Sequence, residues 1–194
     1  MPAATKKRST STRLDREAWI NAALRQLAEH GIESVRVEQL AAKLGVTKGS
    51  FYWHFQDRDE LYGAILELWR KRATLDLIDR LERKGDPRAR LEKLLRVPFA
   101  GRKANQAAEV ELSVRLWGRR DDRAKAALEE VDRLRLEYLQ QLITASGVPQ
   151  AEAEARAVVA YSYIRVAPTL VDAQNEALMA QCEAVIFGQD LPPA

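Results

Sequence analysis

Apolar residues recur along the chain at intervals of three and four, the spacing that puts side chains on one face of an α-helix. Ala18, Trp19, Ala22, Ala23, Leu27 and Ala28 form the first stripe and predict a helix over 15–30, opened by Asp15 and closed by Gly31. Val37, Leu40, Ala41 and Leu44 form a second, short stripe that stops at Gly45. Phe51 and Phe55 stand four apart and predict a third helix, entered at Thr47, whose hydroxyl suits an N-cap. Leu61, Ile65, Leu68, Trp69, Leu75 and Ile78 predict one long helix over 57–84, ended by Gly85-Asp86-Pro87. The helical period continues through 87–97, 104–118, 121–145, 150–172 and 174–187, with breaks at Pro98, Gly101, Gly118 and Gly147-Val148-Pro149. The expected fold is all-α, with about nine helices.

Two stretches depart from the amphipathic pattern. Residues 157–171 are apolar nearly all round, so that helix must be covered on several sides. One face can meet its own domain and the other a partner subunit; a central helix in a monomer would show the same pattern. Residues 1–12 are polar and aperiodic and are expected to be disordered. Their cluster Lys6, Lys7 and Arg8 reads equally as a solvated tail or as a basic arm that follows phosphates or enters a minor groove.

Composition narrows the function classes. The chain has 194 residues, 46% of them hydrophobic, enough for a real core. Its formal net charge is only +3, but residues 1–72 hold 13 Lys+Arg against 9 Asp+Glu, so the basic excess sits in the first third. One cysteine, Cys182, permits no intramolecular disulfide and no zinc-finger spacing, and a lone cysteine is more often a buried bystander than a redox sensor. The N-terminus shows no apolar signal core, and no run approaches the ~20 apolar residues of a membrane span. A soluble, cytoplasmic protein is expected.

The chemistry gathers in 37–55, VEQLAAKLGVTKGSFYWHF, which reads as two short helices and a tight turn. With Phe51 and Phe55 turned inward, Lys48, Gly49, Ser50, Tyr52, Trp53 and His54 are left for the outer face, which carries no carboxylate before Asp57. A helix with cations and polar-tipped aromatics outside suits the major groove of DNA. Gly49 stands where a helix would otherwise favour Ala and where a close backbone approach would be useful. An ordinary helical hairpin would share the inner face; the outer face is what favours DNA.

Leu40-Ala41, then Gly45-Val46-Thr47-Lys48-Gly49-Ser50-Phe51-Tyr52-Trp53-His54-Phe55, then Asp57-Arg58-Asp59-Glu60-Leu61 resembles, in order and density, the DNA-binding signature of the TetR family of transcriptional regulators. The resemblance covers about the first third of the chain; the remainder is similar to the family in length and helical content. It implies an N-terminal three-helix helix–turn–helix domain over 13–60, a connecting helix from 57, and a C-terminal effector-binding and dimerisation domain over 61–194. It implies DNA contacts from Arg36, Thr47, Lys48, Gly49, Ser50, Tyr52, Trp53, His54 and Arg58. Arg36 stands where relatives often carry a hydroxyl that caps the second helix, and Arg58 where a lysine is common. The two C-terminal helices would pair with their twofold mates, giving a homodimer through 150–187. The implied partners are an operator on double-stranded DNA and a small-molecule effector whose identity is open. Candidate effector-lining residues are Phe99, Trp117, Tyr138, Tyr161, Tyr163 and Arg165, although core packing is the simpler account of each aromatic. Arg165, a charge in an apolar run, could meet an anionic ligand, an internal carboxylate or a residue across the dimer, and an internal pair is the simplest of these.

An enzyme is not expected. His30 and His54 are the only histidines, and there is no Gly-rich phosphate loop, metal-ligand set or nucleophile elbow. Glu109 and Glu111 are two apart and point to different helix faces. No cofactor or metal is implied. The expected function is a ligand-responsive repressor, acting as a homodimer on a near-palindromic operator. An architectural DNA binder without an effector and a helical interaction scaffold remain the alternatives.

Overall fold

The computed structural model describes residues 15–83, 85–172 and 174–189. The arm expected over 1–12 lies outside the described residues. Among them are nine α-helices: α1 (Arg16–His30), α2 (Val37–Leu44), α3 (Arg58–Ala73), α4 (Leu75–Glu82), α5 (Pro87–Arg96), α6 (Arg102–Trp117), α7 (Asp122–Ala145), α8 (Gln150–Leu170) and α9 (Glu176–Phe187). Short side chains that satisfy orphan amides at the N-termini fix several of their starts. Asp15 accepts from Ala18 N (2.8 Å), Asp57 from Glu60 N (2.8 Å), Asp86 from Ala89 N ahead of Pro87, and Asn175 from Leu178 N.

The count matches the expectation, but the elements divide differently. Residues Lys48–Trp53 form a 3-10 helix rather than an α-helix. The single helix expected over 57–84 is two helices, broken at Thr74, whose φ of −127° and ψ of −77° lie outside the helical region. The Thr74 hydroxyl donates to the Arg70 carbonyl at 2.6 Å, a bond that competes with the backbone ladder. Leu77 N donates to Thr74 O instead of to Ala73 O, and Arg135 Nε of α7 donates to Ala73 O at 3.1 Å. A side chain has thus taken the place of a backbone donor, a recognised cause of a helix kink. Periodicity alone could not show this, since the apolar stripe runs on through both helices.

Two apolar cores hold the helices. The first joins α1, α2, Phe51, Phe55 and α3 to Val114 and Trp117 of α6 and to Ala124, Ala127, Leu128 and Val131 of α7. Trp19, Phe51 and Phe55 are its largest enclosed groups, and truncating any one to Ala would cost about 3–5 kcal/mol. The second core joins Leu81 of α4 and the leucines of α5 to α7, α8 and α9. The boundary expected at 60/61 therefore does not divide the cores. On α8 the inward residues are Ala153, Ala157, Ala160, Ile164 and Ala167, while Val158, Val159, Val166 and Leu170 face outward with Leu178 and Val185 of α9. Apart from Ile164, the inward residues of α8 are alanines, while its valines and Leu170 are on the uncovered side. No helix among the described residues is long and apolar enough to cross a membrane.

Candidate nucleic-acid interface and C-terminal cavity

The turn between α2 and the 3-10 helix is set by Gly45, at φ 68° and ψ 30°, a left-handed conformation that disfavours any side chain. Gly45 N and Val46 N donate back to Ala42 O and Ala41 O, closing the helix end. Phe51 is wholly enclosed, edge-on to Trp19 at 5.4 Å and stacked on Phe55 at 5.1 Å between centroids. This aromatic anchor fixes which face of Lys48–Trp53 looks outward.

That face is open. Trp53 is 78% exposed and Tyr52 56%, values that packing within the chain would not leave for such large rings. Thr47, Gly49, Ser50, Trp53 and His54 line one shallow depression. A Cβ built on Gly49 would meet nothing closer than Thr47 Oγ1 at 3.8 Å, so the chain's own packing does not demand glycine there. Thr47 occupies the N-cap position but makes no side-chain cap bond, against expectation, which leaves its hydroxyl facing outward. Arg36 precedes α2, exposed, and its Nε donates to Glu33 O at 3.2 Å; it too makes no side-chain cap. Arg58 lies over the Tyr62 ring at 5.3 Å. Lys48 Nζ pairs with Glu38 Oε1; their hydrogen bond raises the lysine pKa and lowers that of the carboxylate. All nine residues expected to contact DNA thus lie in or beside the helix–turn–helix.

The six candidate lining residues separate. Tyr138, Tyr161 and Arg165 border a cavity of about 30 Å³ between α4, α7 and α8, with Ala73, Thr74, Leu77, Ile78 and Ile164. Trp117 does not border it: its ring meets Tyr62 at 5.2 Å in the first core. Phe99 and Tyr163 pack on each other at 6.1 Å, also away from the cavity.

At the polar end of the cavity stands a charge cluster. Glu111 of α6, 4% exposed, accepts from Arg115 Nη2 (3.0 Å) and Arg135 Nη1 (2.8 and 2.9 Å) and pairs with Arg165. Arg115 also makes a two-pronged pair with Asp132, at 2.6 and 2.9 Å. Tyr161 donates to Asp132 Oδ1 at 2.5 Å and accepts from Arg115 and Arg135, each at 3.1 Å. Burial pushes the Glu111 carboxyl up, but the charges of Arg135 and Arg165 and their hydrogen bonds outweigh it, and its pKa falls to about 2. The internal pair expected for Arg165 is present. Glu111 as the hub, and Arg135 and Asp132 as members, were not anticipated. One signal existed: Arg135 falls on the 128, 131, 135, 138, 142 stripe of α7, where a charge is out of place.

These elements define a class: a helix–turn–helix domain seated on an all-helical C-terminal domain. The family model described as bacterial regulatory proteins, tetR family, matches residues 20–65, the helix–turn–helix segment. It is 33% identical over 92 residues to the HTH-type transcriptional regulator AcrR of Shigella flexneri, covering 47% of this chain and 41% of that one. It is 42% identical over 53 residues to the tetracycline repressor protein class D of Escherichia coli, covering 27% of this chain and 24% of that one. The match thus spans less than half the length of either relative. The crystal structure of a putative transcriptional regulator from Saccharomonospora viridis in complex with choline superposes with a TM-score of 0.70 at 18% identity, over 89% of this chain and 93% of that one. At that identity the likeness speaks for the fold alone.

Proposed function

We propose that the chain is a transcriptional regulator that binds operator DNA as a homodimer, represses, and is released by a small-molecule effector. Residues 13–60 would read DNA and 61–194 would dimerise and hold the effector. The observation that carries the reading is the outward face of Lys48–Trp53, where exposed Tyr52 and Trp53 stand with Lys48 beside an open glycine. Such a surface gives a cation for phosphate or guanine, ring donors for the backbone, and room for a close approach. The regulator names of the curated relatives support the same reading. The uncovered apolar side chains of α8 and α9 support pairing with a second copy, which would place two readers on two half-sites. Selection from a random DNA pool tests the reading. The expected product is a near-palindrome with half-sites about one helical turn apart, bound more weakly as salt rises. Equal affinity for selected and random DNA would favour an architectural binder instead, and no salt-dependent affinity at all would favour a scaffold.

A further inference from the structure

The charge cluster is short of acceptors. Arg115, Arg135 and Arg165 face only Glu111 and Asp132, one carboxylate fewer than the guanidinium groups. Both Glu111 oxygens and Asp132 Oδ1 already accept from two donors each. The Tyr161 oxygen donates once and accepts twice. Arg165 Nε, by contrast, is buried without a partner. A buried donor without a partner is costly, and here the local charge is also positive, so the missing group is an acceptor and preferentially an anion.

The space beside it is apolar. Arg165 and Arg135 stand with Tyr161 in a cavity whose other walls are mostly apolar, Leu77, Ile78, Leu94, Leu139 and Ile164 among them. As it stands the cavity would admit a water or two. Its outer wall is α4, an eight-residue helix with only Leu81 fully buried, an element of low local stability that a ligand could push aside. The same Arg135 that reaches Glu111 and Tyr161 donates its Nε to Ala73 O at the α3–α4 break.

We propose that this cavity binds an amphipathic carboxylate, its anion received by Arg165 and Arg135 and its aliphatic chain by Leu77, Ile78 and Ile164, and that Arg135 reports its presence to the end of α3 through Ala73. The proposal deepens the effector reading above and rests on it for biological meaning, but not for its test. A carboxylate arriving at Arg165 competes with Glu111 for the guanidinium groups. Arg135 then turns toward the ligand, and its hold on Ala73 O changes. The α3 C-terminus runs from this cavity straight into the helix–turn–helix core, so a shift at Thr74 moves the reader.

The test uses the whole chain without DNA, so that failure of DNA binding does not bear on it. Octanoate, 1-octanol and octyltrimethylammonium are titrated by calorimetry. The expected order is octanoate tighter than the alcohol by about tenfold or more, with no saturable binding of the cation. Equal affinity for octanoate and octanol would mean that water completes Arg165 Nε, and would overturn the ligand class; so would absence of octanoate binding. In Arg165→Met the preference for octanoate over octanol is expected to vanish while octanol still binds, and a retained preference would remove Arg165 from the site. Hydrogen exchange reads the second half. Octanoate should alter protection of the Thr74, Leu77 and Ile78 amides in the unsubstituted chain but not in Arg135→Lys, at matched occupancy. Unaltered exchange there, with octanoate bound, would overturn the coupling.

Discussion

The ammonium of Lys48 lies 2.5 Å from the carboxylate of Glu38, so the cation proposed to meet DNA is already held by the helix that precedes it. Both groups are exposed, and the pair has little worth in water. Near a phosphate Glu38 is a like charge, and Lys48 must leave it. Glu38→Gln is therefore expected to raise affinity for a selected site. Lys48→Ala should lower it and reduce the slope of log affinity against log salt by roughly one unit if Lys48 neutralises a phosphate. Fluorescence anisotropy across a salt series measures both, and an unchanged slope in Lys48→Ala would remove that contact.

Gly49 separates folding from binding. Its φ is not in the left-handed region and its Cβ position is open, so Gly49→Leu should fold with a stability change within about 1 kcal/mol. DNA affinity should nevertheless collapse, because the added side chain stands where a backbone or base edge would approach. Thermal unfolding and anisotropy on the same sample check this; retained affinity would deny the close approach.

The outer face of α8 tests assembly. Val166 is 48% exposed within one chain, whereas Ile186 is 2% exposed and belongs to the second core. Sedimentation velocity should show Val166→Asp as a folded monomer and the unsubstituted chain as a dimer at micromolar concentration. Ile186→Asp should lose folding rather than pairing, since it places a charge inside the chain's own core. A dimeric Val166→Asp would move the interface elsewhere.

Glu111 gives the chain an acid limit. Its pKa is depressed to about 2 from an ordinary 4.5, so its contribution to stability is fully present above the ordinary value and is lost as pH falls toward 2. A shift of that size corresponds to roughly 3 kcal/mol at neutral pH. Urea unfolding of Glu111→Gln should show a stability deficit of that order at pH 7 that narrows through this window. A deficit that stays constant with pH would mean that packing, not charge, is what Glu111 supplies.

The helix–turn–helix was legible because its signals are local. Gly45, the Phe51 and Phe55 spacing and the outer face without a carboxylate all lie within nineteen residues of each other. The break at Thr74 was not, because its cause sits on α7: Arg135 supplies the donor that frees Ala73 O from the ladder. The lining residues divided for a related reason. Trp117 and Tyr138 are both apolar-face aromatics, but Trp117 lies opposite Tyr62 and Tyr138 reaches Glu82 at 3.0 Å, partners set by how α6 and α7 cross and not by their own period. The role of Glu111 was not legible because, besides Arg115 one turn on in its own helix, the arginines that hold it come from α7 and α8.

The first core also limits how this helix–turn–helix can be exchanged. Val114, Trp117, Ala124, Ala127, Leu128 and Val131 lie against the helices that present Lys48 and Trp53, although they come more than forty residues later. A chimaera joined after residue 73 would carry the reading surface away from the hairpin it is cast against, leaving Tyr62 without Trp117. The transplantable piece is two stretches, 15–73 and the tip of the α6–α7 hairpin. A new binding specificity grafted onto this chain must therefore either keep the residues that touch that tip or bring its own tip along.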